Sequence, residues 1–264
     1  MNIDLSDKTA LVSGSTGGIG LAVARGLAGC GAKVIVNGRK QETVDAALAK
    51  IKAGLPKARL TGVAADVSTA EGCAKLAAAV PAADILVNNT GIFEPKDFFD
   101  IPDEDWRHIF EVNVLSGVRL SRALMPGMLK RNWGRIVFVS SESAINIPKD
   151  MIHYGTTKTA QLAISRGLAE LTAGTGVTVN AVLPGPTRSD AIEPFLEAMA
   201  AQEGVPVAQM ATEFVKQHRP SSLLQRFATV DEIANMVVYL CSKEASATNG
   251  APLRADGGII RSIA

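Results

Sequence analysis

The sequence predicts an α/β fold, a doubly wound parallel sheet of about seven strands with helices on both faces. Short runs rich in β-branched residues recur along the chain, and Ala- and Leu-rich stretches with helical spacing lie between them. The runs are apolar without alternation, which is typical of strands buried on both faces. The stretches between them are long enough to serve as the crossovers that parallel neighbours require.

The elements follow one another in regular alternation. The predicted strands are Thr9–Val12, Lys33–Val36, Leu60–Ala64, Ile85–Val87, Arg135–Val139, Val177–Val182 and the weaker Pro252–Leu253. The helices predicted between them are Gly20–Ala28, Glu42–Ala53, Ala70–Val80, Trp106–Lys130, Thr157–Leu171 and Asp231–Cys241. Because no linker, internal repeat or charge run divides the chain, we predict one domain over residues 1–264.

Residues 187–225, which we call the lid segment, depart from this alternation. They follow the end of a predicted strand, where ligands bind in open α/β sheets. Two short helices are predicted around Gly204–Pro206. We expect the lid segment to cover a ligand, with apolar side chains that either line a pocket or pack against one another.

Composition and charge exclude several classes of protein. The 264 residues carry 27 Lys and Arg against 26 Asp and Glu, so no excess charge attracts nucleic acid or anionic membranes. Membrane-length apolar runs are missing, and Met1–Asp7 lacks the pattern of a signal peptide. Cys30, Cys73 and Cys241 are odd in number and widely spaced, which argues against disulfides and metal sites. We expect a cytoplasmic protein without a metal.

A glycine-rich loop joins the first predicted strand to the first helix. Its sequence is Ser13-Gly14-Ser15-Thr16-Gly17-Gly18-Ile19-Gly20. Glycines let the backbone approach a pyrophosphate, and the N-terminus of the following helix offers free N–H groups and a positive dipole. The loop therefore predicts a dinucleotide site, with a plain structural turn as the alternative.

The spacing of Gly14, Gly18 and Gly20 resembles the Ser/Thr-Gly-x-x-x-Gly-x-Gly signature of the short-chain dehydrogenase/reductase family. Further matches to that family occur in order along the chain: Asp66-Val67, Asn88-Asn89-Thr90-Gly91, Asn113, Ser141, Tyr154-Gly155-Thr156-Thr157-Lys158, Pro184-Gly185-Pro186-Thr187 and Asp256-Gly257-Gly258. The resemblance extends from the first strand nearly to the end of the chain. It implies a Rossmann fold and a nicotinamide-dependent dehydrogenase or reductase.

The resemblance also implies the catalytic residues, Asn113, Ser141, Tyr154 and Lys158. In the family, the tyrosine is the acid in carbonyl reduction and the base in alcohol oxidation, and the serine binds the substrate oxygen. The lysine holds the nicotinamide ribose, and the asparagine helps hold a relay water. Ser140 is a weaker candidate than Ser141, which stands 13 positions before the tyrosine as is common in the family.

Tyr154 and Lys158 can also be argued from helix geometry. Residues at i and i+4 are neighbours on a helix, so the ammonium group is expected to lower the pKa of the phenol from about 10. Taken alone, the pair would favour an ordinary helix pair that packs at a surface, but its place in the order of family motifs favours the catalytic role.

The end of the second predicted strand bears on cofactor preference. NAD-specific relatives usually carry an acid where this chain has Gly38, and the guanidinium of Arg39 can fork onto a 2′-phosphate. We therefore predict NADP(H) over NAD(H), with a merely solvated Arg39 as the alternative. The complete predicted cofactor set is Gly14, Ser15, Thr16, Gly18, Ile19, Gly20, Arg39, Asp66, Val67, Asn89, Gly91, Tyr154, Lys158, Pro184, Gly185 and Thr187.

The predicted function is an NADP(H)-dependent oxidoreductase that transfers a hydride between nicotinamide and the carbon of a carbonyl or secondary alcohol. One alternative is a 3-oxoacyl-[acyl-carrier-protein] reductase, although Thr175 stands where that group often carries a basic residue. A non-catalytic NADP(H)-sensing or scaffold protein is an alternative of another class, and the presence of all four predicted catalytic residues argues against it. Glu142 and His153 adjoin the site and can tune a pKa or bind substrate.

The resemblance further implies a homotetramer, and the charge balance and the lack of membrane-length apolar runs predict no nucleic-acid or membrane partner. The helices Trp106–Lys130 and Thr157–Leu171 and the apolar segment Gly258–Ala264 are available for symmetric burial.

Overall fold

The computed structural model describes residues 2–190 and 192–263. Its strands are β1 (Thr9–Val12), β2 (Lys33–Gly38), β3 (Arg59–Ala64), β4 (Ile85–Asn88), β5 (Gly134–Val139), β6 (Val177–Pro184), β7 (Thr187–Arg188), β8 (Ala228–Thr229) and β9 (Pro252–Ala255). Its α-helices are α1 (Gly18–Gly29), α2 (Gln41–Gly54), α3 (Ala70–Ala78), α4 (Asp103–Phe110), α5 (Ser116–Lys130), α6 (Ile152–Glu170), α7 (Glu193–Glu203), α8 (Val207–His218) and α9 (Val230–Leu240). Met1, Ala191 of the lid segment and Ala264 of the predicted interface segment lie outside the described residues.

Seven strands pair in parallel in the order β3-β2-β1-β4-β5-β6-β9. Leu11 of β1 lies in register with Ile35 of β2 on one side and with Leu86 of β4 on the other. The strand order therefore reverses next to β1, where a crevice opens at the carboxyl ends of the strands. The predicted fold class, a doubly wound parallel sheet, is confirmed.

Both faces of the sheet are buried, which explains why the strand sequences do not alternate. In β1, Ala10 and Val12 belong to the apolar cluster formed with α1, α2 and α9. Leu11, between them, belongs to the cluster formed with α3, α5 and α6. Side chains of successive residues point to opposite faces of a strand, so each face needs its own apolar residues.

Two helix predictions differ from the structure. The stretch predicted as one helix over Trp106–Lys130 consists of α4, a π-helical turn at Glu111–Leu115 and α5. Apolar spacing does not distinguish a single wider turn inside a helix. Helix α6 starts at Ile152, earlier than the predicted Thr157, because its first turns contain Gly and Thr and carry little apolar pattern.

The lid segment contains both predicted helices, one on each side of Gly204–Pro206. Helix α7 ends at Gly204, whose φ of 66° is the left-handed conformation that commonly ends helices. The small β7–β8 pair at its base was not predicted, since two-residue strands leave no pattern. Further along the lid segment, the N–H groups of Leu223 and Leu224 both donate to the Gly257 carbonyl, at 2.8 and 3.0 Å.

Across the described residues, none of the helices combines the length and apolarity that a membrane span requires.

Candidate active site

A cavity of about 910 Å³ lies where the sheet order reverses, between the carboxyl ends of the strands and the lid segment. Most of the predicted site residues line it, namely Gly14, Thr16, Gly18, Ile19, Gly20, Arg39, Asn89, Gly91, Ser141, Tyr154, Lys158, Pro184, Gly185 and Thr187. Four predicted residues, Ser15, Asp66, Val67 and Asn113, are not among the residues that line it. The fold thus brings the glycine loop and three of the four predicted catalytic residues, Ser141, Tyr154 and Lys158, to one cavity.

Gly14 turns the chain at the end of β1. Its φ of +59° strains any residue with a side chain, and an added Cβ would lie 2.9 Å from Thr90 Oγ1. The Asn37 side chain holds this turn, because its Oδ1 accepts a hydrogen bond from the Gly14 N–H at 3.2 Å. The Asn37 Nδ2 donates to the carbonyls of Val63 and Ala65, both at 3.1 Å. Asn37 therefore fixes the glycine loop to the neighbouring strand.

Ser15 supports the loop from inside the protein instead of lining the cavity. Its side chain is fully buried, with Oγ donating to the Val12 carbonyl at 2.7 Å and accepting from the Asn37 N–H at 2.9 Å. The Ser15 side chain therefore shapes the loop from inside, and the predicted part of Ser15 in cofactor binding stays a prediction.

Asn89 links the end of β4 to the end of β1. Its Nδ2 donates to the carbonyls of Ser13 and Gly14 at 3.0 and 2.9 Å, and its N–H donates to Ser13 Oγ at 3.0 Å. These contacts hold the two strand ends next to each other at the point where the sheet order reverses.

The residues after β2 leave a free cation at the edge of the cavity. A Cβ on Gly38 would lie 2.5 Å from Thr16 Cγ2, so an acidic side chain does not fit there without rearrangement. Arg39 is exposed, lines the cavity, and forms no hydrogen bond or ion pair within residues 2–190 and 192–263. A guanidinium that no described residue holds by a hydrogen bond or an ion pair is available to an anion.

Asp66 and Val67 lie after β3, outside the cavity lining. Asp66 accepts from the Ser68 hydroxyl at 2.8 Å and from the Ser68 N–H at 3.0 Å, and these bonds hold the pKa of its carboxyl below the usual value. The positive charge of Arg39 contributes to this lowering of the pKa. Val67 is buried in the sheet core with Leu76.

Tyr154 lies in the first turn of α6, and its phenol faces Ser141. Burial raises the pKa of Tyr154, and a hydrogen bond with the Ser141 side chain opposes that increase. Ser141 Oγ also accepts from the Ser143 N–H at 3.1 Å, which fixes the serine at the start of a short 3-10 helix. Ser140, the weaker candidate, is buried and donates to the Lys158 carbonyl at 2.9 Å. The geometry favours Ser141 as the partner of the phenol.

Lys158 lies on the same face of α6, with its Nζ 5.6 Å from the centre of the Tyr154 ring. The ammonium donates to the Val139 carbonyl at 3.0 Å and to Gln161 Oε1 at 3.4 Å, and burial lowers the pKa of Lys158 to about 8. The expectation that this lysine lowers the pKa of Tyr154 is wrong for this structure, because burial of the phenol dominates and the ammonium is bonded elsewhere.

Asn113 lies in the π-helical turn and is buried. Its side chain pairs with the backbone of Ile92, accepting from the N–H at 2.8 Å and donating to the carbonyl at 2.9 Å, and it also donates to Thr157 Oγ1 at 3.0 Å. Its main-chain carbonyl accepts from Gln161 Nε2 at 2.6 Å. Asn113 is thereby connected to Lys158 through Gln161, and its role with a relay water stays a prediction.

Sequence reasoning missed Asn37 and Gln161. Asn37 interrupts an otherwise apolar strand, and Gln161 follows Lys158 by one helical turn on the same face. A polar residue at the end of an apolar strand, and a polar residue one turn from the predicted lysine, are the signals that could have indicated Asn37 and Gln161.

The two ionisable neighbours of the site have different surroundings. His153 is buried against Trp106 of α4, with ring centres 5.9 Å apart, and is not among the cavity-lining residues. Glu142 lines the cavity and forms an ion pair with Arg219 of the lid segment, 2.7 Å between Oε1 and Nε.

Comparisons with known proteins agree with this geometry. A family model described as enoyl-(acyl carrier protein) reductase matches residues 14–260. The uncharacterized oxidoreductase YvaG of Bacillus subtilis is 49% identical over 263 residues, covering all of both chains. D-beta-hydroxybutyrate dehydrogenase of Cupriavidus necator is 38% identical, over 96% of this chain and 98% of that protein.

Among solved structures, L-sorbose reductase of Gluconobacter frateurii, complexed with NADPH and L-sorbose, superposes with a TM-score of 0.94. It is 30% identical, and the match covers 100% of both chains. The fold and the site define a nicotinamide-dependent oxidoreductase of the Rossmann type. The chain belongs to the short-chain dehydrogenase/reductase family, as its sequence motifs predicted.

Proposed function

We propose that this protein is an NADP(H)-dependent oxidoreductase that transfers a hydride between nicotinamide and a carbonyl or secondary alcohol carbon, with Tyr154 as the acid and base. The observation that carries the proposal is the pairing of the Tyr154 phenol with Ser141, in the same cavity as the glycine loop and Lys158. A proton donor and a hydride site must share a cavity for both to reach one carbonyl group.

The residues fit a dinucleotide phosphate. The left-handed turn at Gly14 leaves the backbone open where a Cβ would otherwise project, and the N-terminus of α1 adds unpaired N–H groups. Arg39 supplies a free guanidinium for the 2′-phosphate, and Lys158 would hold the nicotinamide ribose. When bound, the nicotinamide supplies or accepts the hydride.

Tyr154 and Ser141 carry out the proton chemistry at the substrate oxygen. In reduction, the Ser141 hydroxyl holds the carbonyl oxygen while the Tyr154 phenol gives its proton to that oxygen as negative charge develops there. Because burial raises the pKa of Tyr154, the phenol retains its proton at neutral pH, which favours the role of acid in reduction.

The relatives support the same reaction class. One solved relative is a reductase whose structure holds NADPH and L-sorbose, and another relative is named as a hydroxybutyrate dehydrogenase. Both names describe conversion between a carbonyl and an alcohol. They support a ketone or secondary alcohol as the substrate of this chain.

Fluorescence titration and turnover together test the proposal. NADPH is expected to bind more tightly than NADH, and a panel of ketones, aldehydes and the matching alcohols is expected to contain substrates. NADPH binding without turnover of any compound would favour the sensor or scaffold alternative. Activity confined to acyl groups on a carrier protein would instead favour the 3-oxoacyl reductase.

We also propose a cytoplasmic homotetramer. Cys30, Cys73 and Cys241 are free thiols in the structure, which suits a reducing compartment. Leu171, at the end of α6, and Phe99 are large apolar side chains with 65% and 91% of their surface exposed, so burial between subunits would stabilise them. Light scattering at micromolar concentration tests the tetramer, and a monomeric mass would contradict it.

A further inference from the structure

A charged pair lies within the substrate side of the cavity. The side chains of Glu142 and Arg219 are only 3% and 15% exposed, and both line the cavity beside Ser141 and Tyr154. Arg219 comes from the end of α8 in the lid segment, and Glu142 comes from the loop after β5. The pair therefore joins the lid segment to the loop that carries the catalytic serine.

One oxygen of this carboxylate is satisfied and the other is not. Glu142 Oε1 accepts from Arg219 Nε at 2.7 Å and from Ser143 Oγ at 3.1 Å. Glu142 Oε2 is buried and has no hydrogen-bond partner within the described part of the chain. A buried carboxylate oxygen without a donor is costly, so a donor from a ligand would be favoured at this position.

The Glu142 carboxylate lies in the same part of the cavity as the residues that act on the substrate carbonyl. Glu142 directly follows Ser141, and the charges of both Glu142 and Arg219 act on the Tyr154 phenol. One cavity thus holds the Glu142 carboxylate together with Ser141 and Tyr154, the two residues assigned to the carbonyl oxygen.

The charge balance favours a neutral donor. Arg219 already compensates Glu142, so a substrate carboxylate would meet a negative group whose partner guanidinium is engaged. A plain apolar ketone would leave Oε2 buried and unpaired. A hydroxyl group donates one hydrogen bond without adding charge. Phe93 and Met151 offer apolar surface to the carbon chain in the same cavity.

We propose that Glu142, held in place by Arg219, binds a hydroxyl group of the substrate next to the reacting carbonyl. The preferred substrates are therefore hydroxylated ketones, or the polyols formed from them. This inference rests on the proposed carbonyl–alcohol chemistry and adds the substrate class to it.

Matched ketones test the inference with wild-type protein and NADPH. Hydroxyacetone and butanone have the same number of heavy atoms, and one hydroxyl of the first is a methyl group in the second. Dihydroxyacetone and 3-pentanone are matched in the same way and differ at two such positions. The wild type is expected to favour the hydroxylated member of each pair by about 10- to 100-fold in kcat/KM, as expected for a hydrogen bond to a charged group. Pyruvate, added to the panel as the anionic ketone, is expected to be poorer than hydroxyacetone.

Glu142→Leu should remove this preference while retaining turnover of butanone and 3-pentanone. Because that variant leaves the Arg219 guanidinium unpaired, Glu142→Leu combined with Arg219→Leu provides a second variant in which the whole pair is replaced by apolar side chains. Retained NADPH affinity shows that each variant is folded. Glu244→Leu is the matched control, since Glu244 also has a buried Oε2 without a partner but is not a cavity-lining residue. Its selectivity ratio should equal that of the wild type.

The outcomes separate this inference from the proposed function. Loss of the hydroxyl preference in both Glu142 variants supports the inference. Three results would overturn the inference and leave the carbonyl chemistry unaffected. The first is an equal kcat/KM for both ketones of each pair with the wild type. The others are a hydroxyl preference that persists in the Glu142 variants and a preference of the wild type for pyruvate over hydroxyacetone. Failure of NADPH to reduce any carbonyl compound, despite binding, overturns the proposed function itself.

Discussion

Replacing Arg39 with alanine should separate the two nicotinamide cofactors. The guanidinium is exposed, lines the cavity and has no partner within residues 2–190 and 192–263, so its removal should cost the folded protein little stability. A charge-assisted hydrogen bond to a phosphate contributes about 1.5–3 kcal/mol. We therefore expect Arg39→Ala to weaken NADPH binding by roughly 10- to 100-fold and to leave NADH binding nearly unchanged.

Fluorescence titration of both cofactors at fixed ionic strength measures this effect, because surface charges act more strongly at low salt. Lys40→Ala is the matched control, since it also removes one exposed positive charge but at a residue that is not part of the cavity lining. It should change the affinity for NADPH much less than Arg39→Ala does. Arg39→Lys keeps the charge and loses the forked geometry, so its affinity should be intermediate.

An equal loss of affinity for NADPH and NADH in Arg39→Ala would refute the assignment. So would an equal effect of Lys40→Ala, because it would mean that net charge and not position decides the preference.

Three further predictions concern the phenol, the lysine and the glycine loop. Tyr154→Phe should lower kcat by about 10²- to 10⁴-fold with little change in NADPH affinity, since only the proton donor is lost. Steady-state kinetics measure kcat and fluorescence titration measures the affinity. Turnover near that of the wild type would refute the assigned mechanism. Because burial places the pKa of Lys158 near 8, kcat/KM for ketone reduction should fall as the pH rises through about 8 and the ammonium is lost. Lys158→Met should lose that pH-dependent step, and a profile with the step intact would contradict the role. Asn37→Leu should weaken NADPH and NADH binding alike and lower the melting temperature, because the Gly14 N–H and the carbonyls of Val63 and Ala65 lose their partner. Unchanged cofactor binding would show that the loop is held without Asn37.

The strands and the glycine loop could be predicted because their patterns are local. A run such as Val34–Val36 is buried on both faces wherever it occurs in such a sheet, and the loop spacing follows from the approach of backbone to phosphate. Helix starts were less accurate where Gly and Thr weaken the apolar pattern, as at Ile152. The widened turn at Glu111–Leu115 depends on i→i+5 backbone hydrogen bonds, which side-chain spacing does not encode.

The catalytic pair could be located from its spacing, but its electrostatics could not. The i, i+4 relation places Lys158 near Tyr154, whereas the carbonyl of Val139 that binds the ammonium comes from a distant strand. Likewise, the pairing of Glu142 with Arg219 joins residues 77 positions apart. The first contact forms when α6 packs on the sheet and the second when the lid segment lies over the cavity, so local sequence patterns encode neither.

The lid segment is attached to the rest of the protein at both of its ends, and these attachments limit how it can move. Thr187 and Arg188 pair with Ala228 and Thr229, and the amides of Leu223 and Leu224 bind one carbonyl of the C-terminal turn. Between these two attachments, α7 and α8 share an apolar core of their own. An outward swing of the two helices as one body would leave the hydrogen bonds of the parallel sheet intact. Ligand entry by such a swing would be a local opening event, with a free energy much smaller than that of unfolding the sheet.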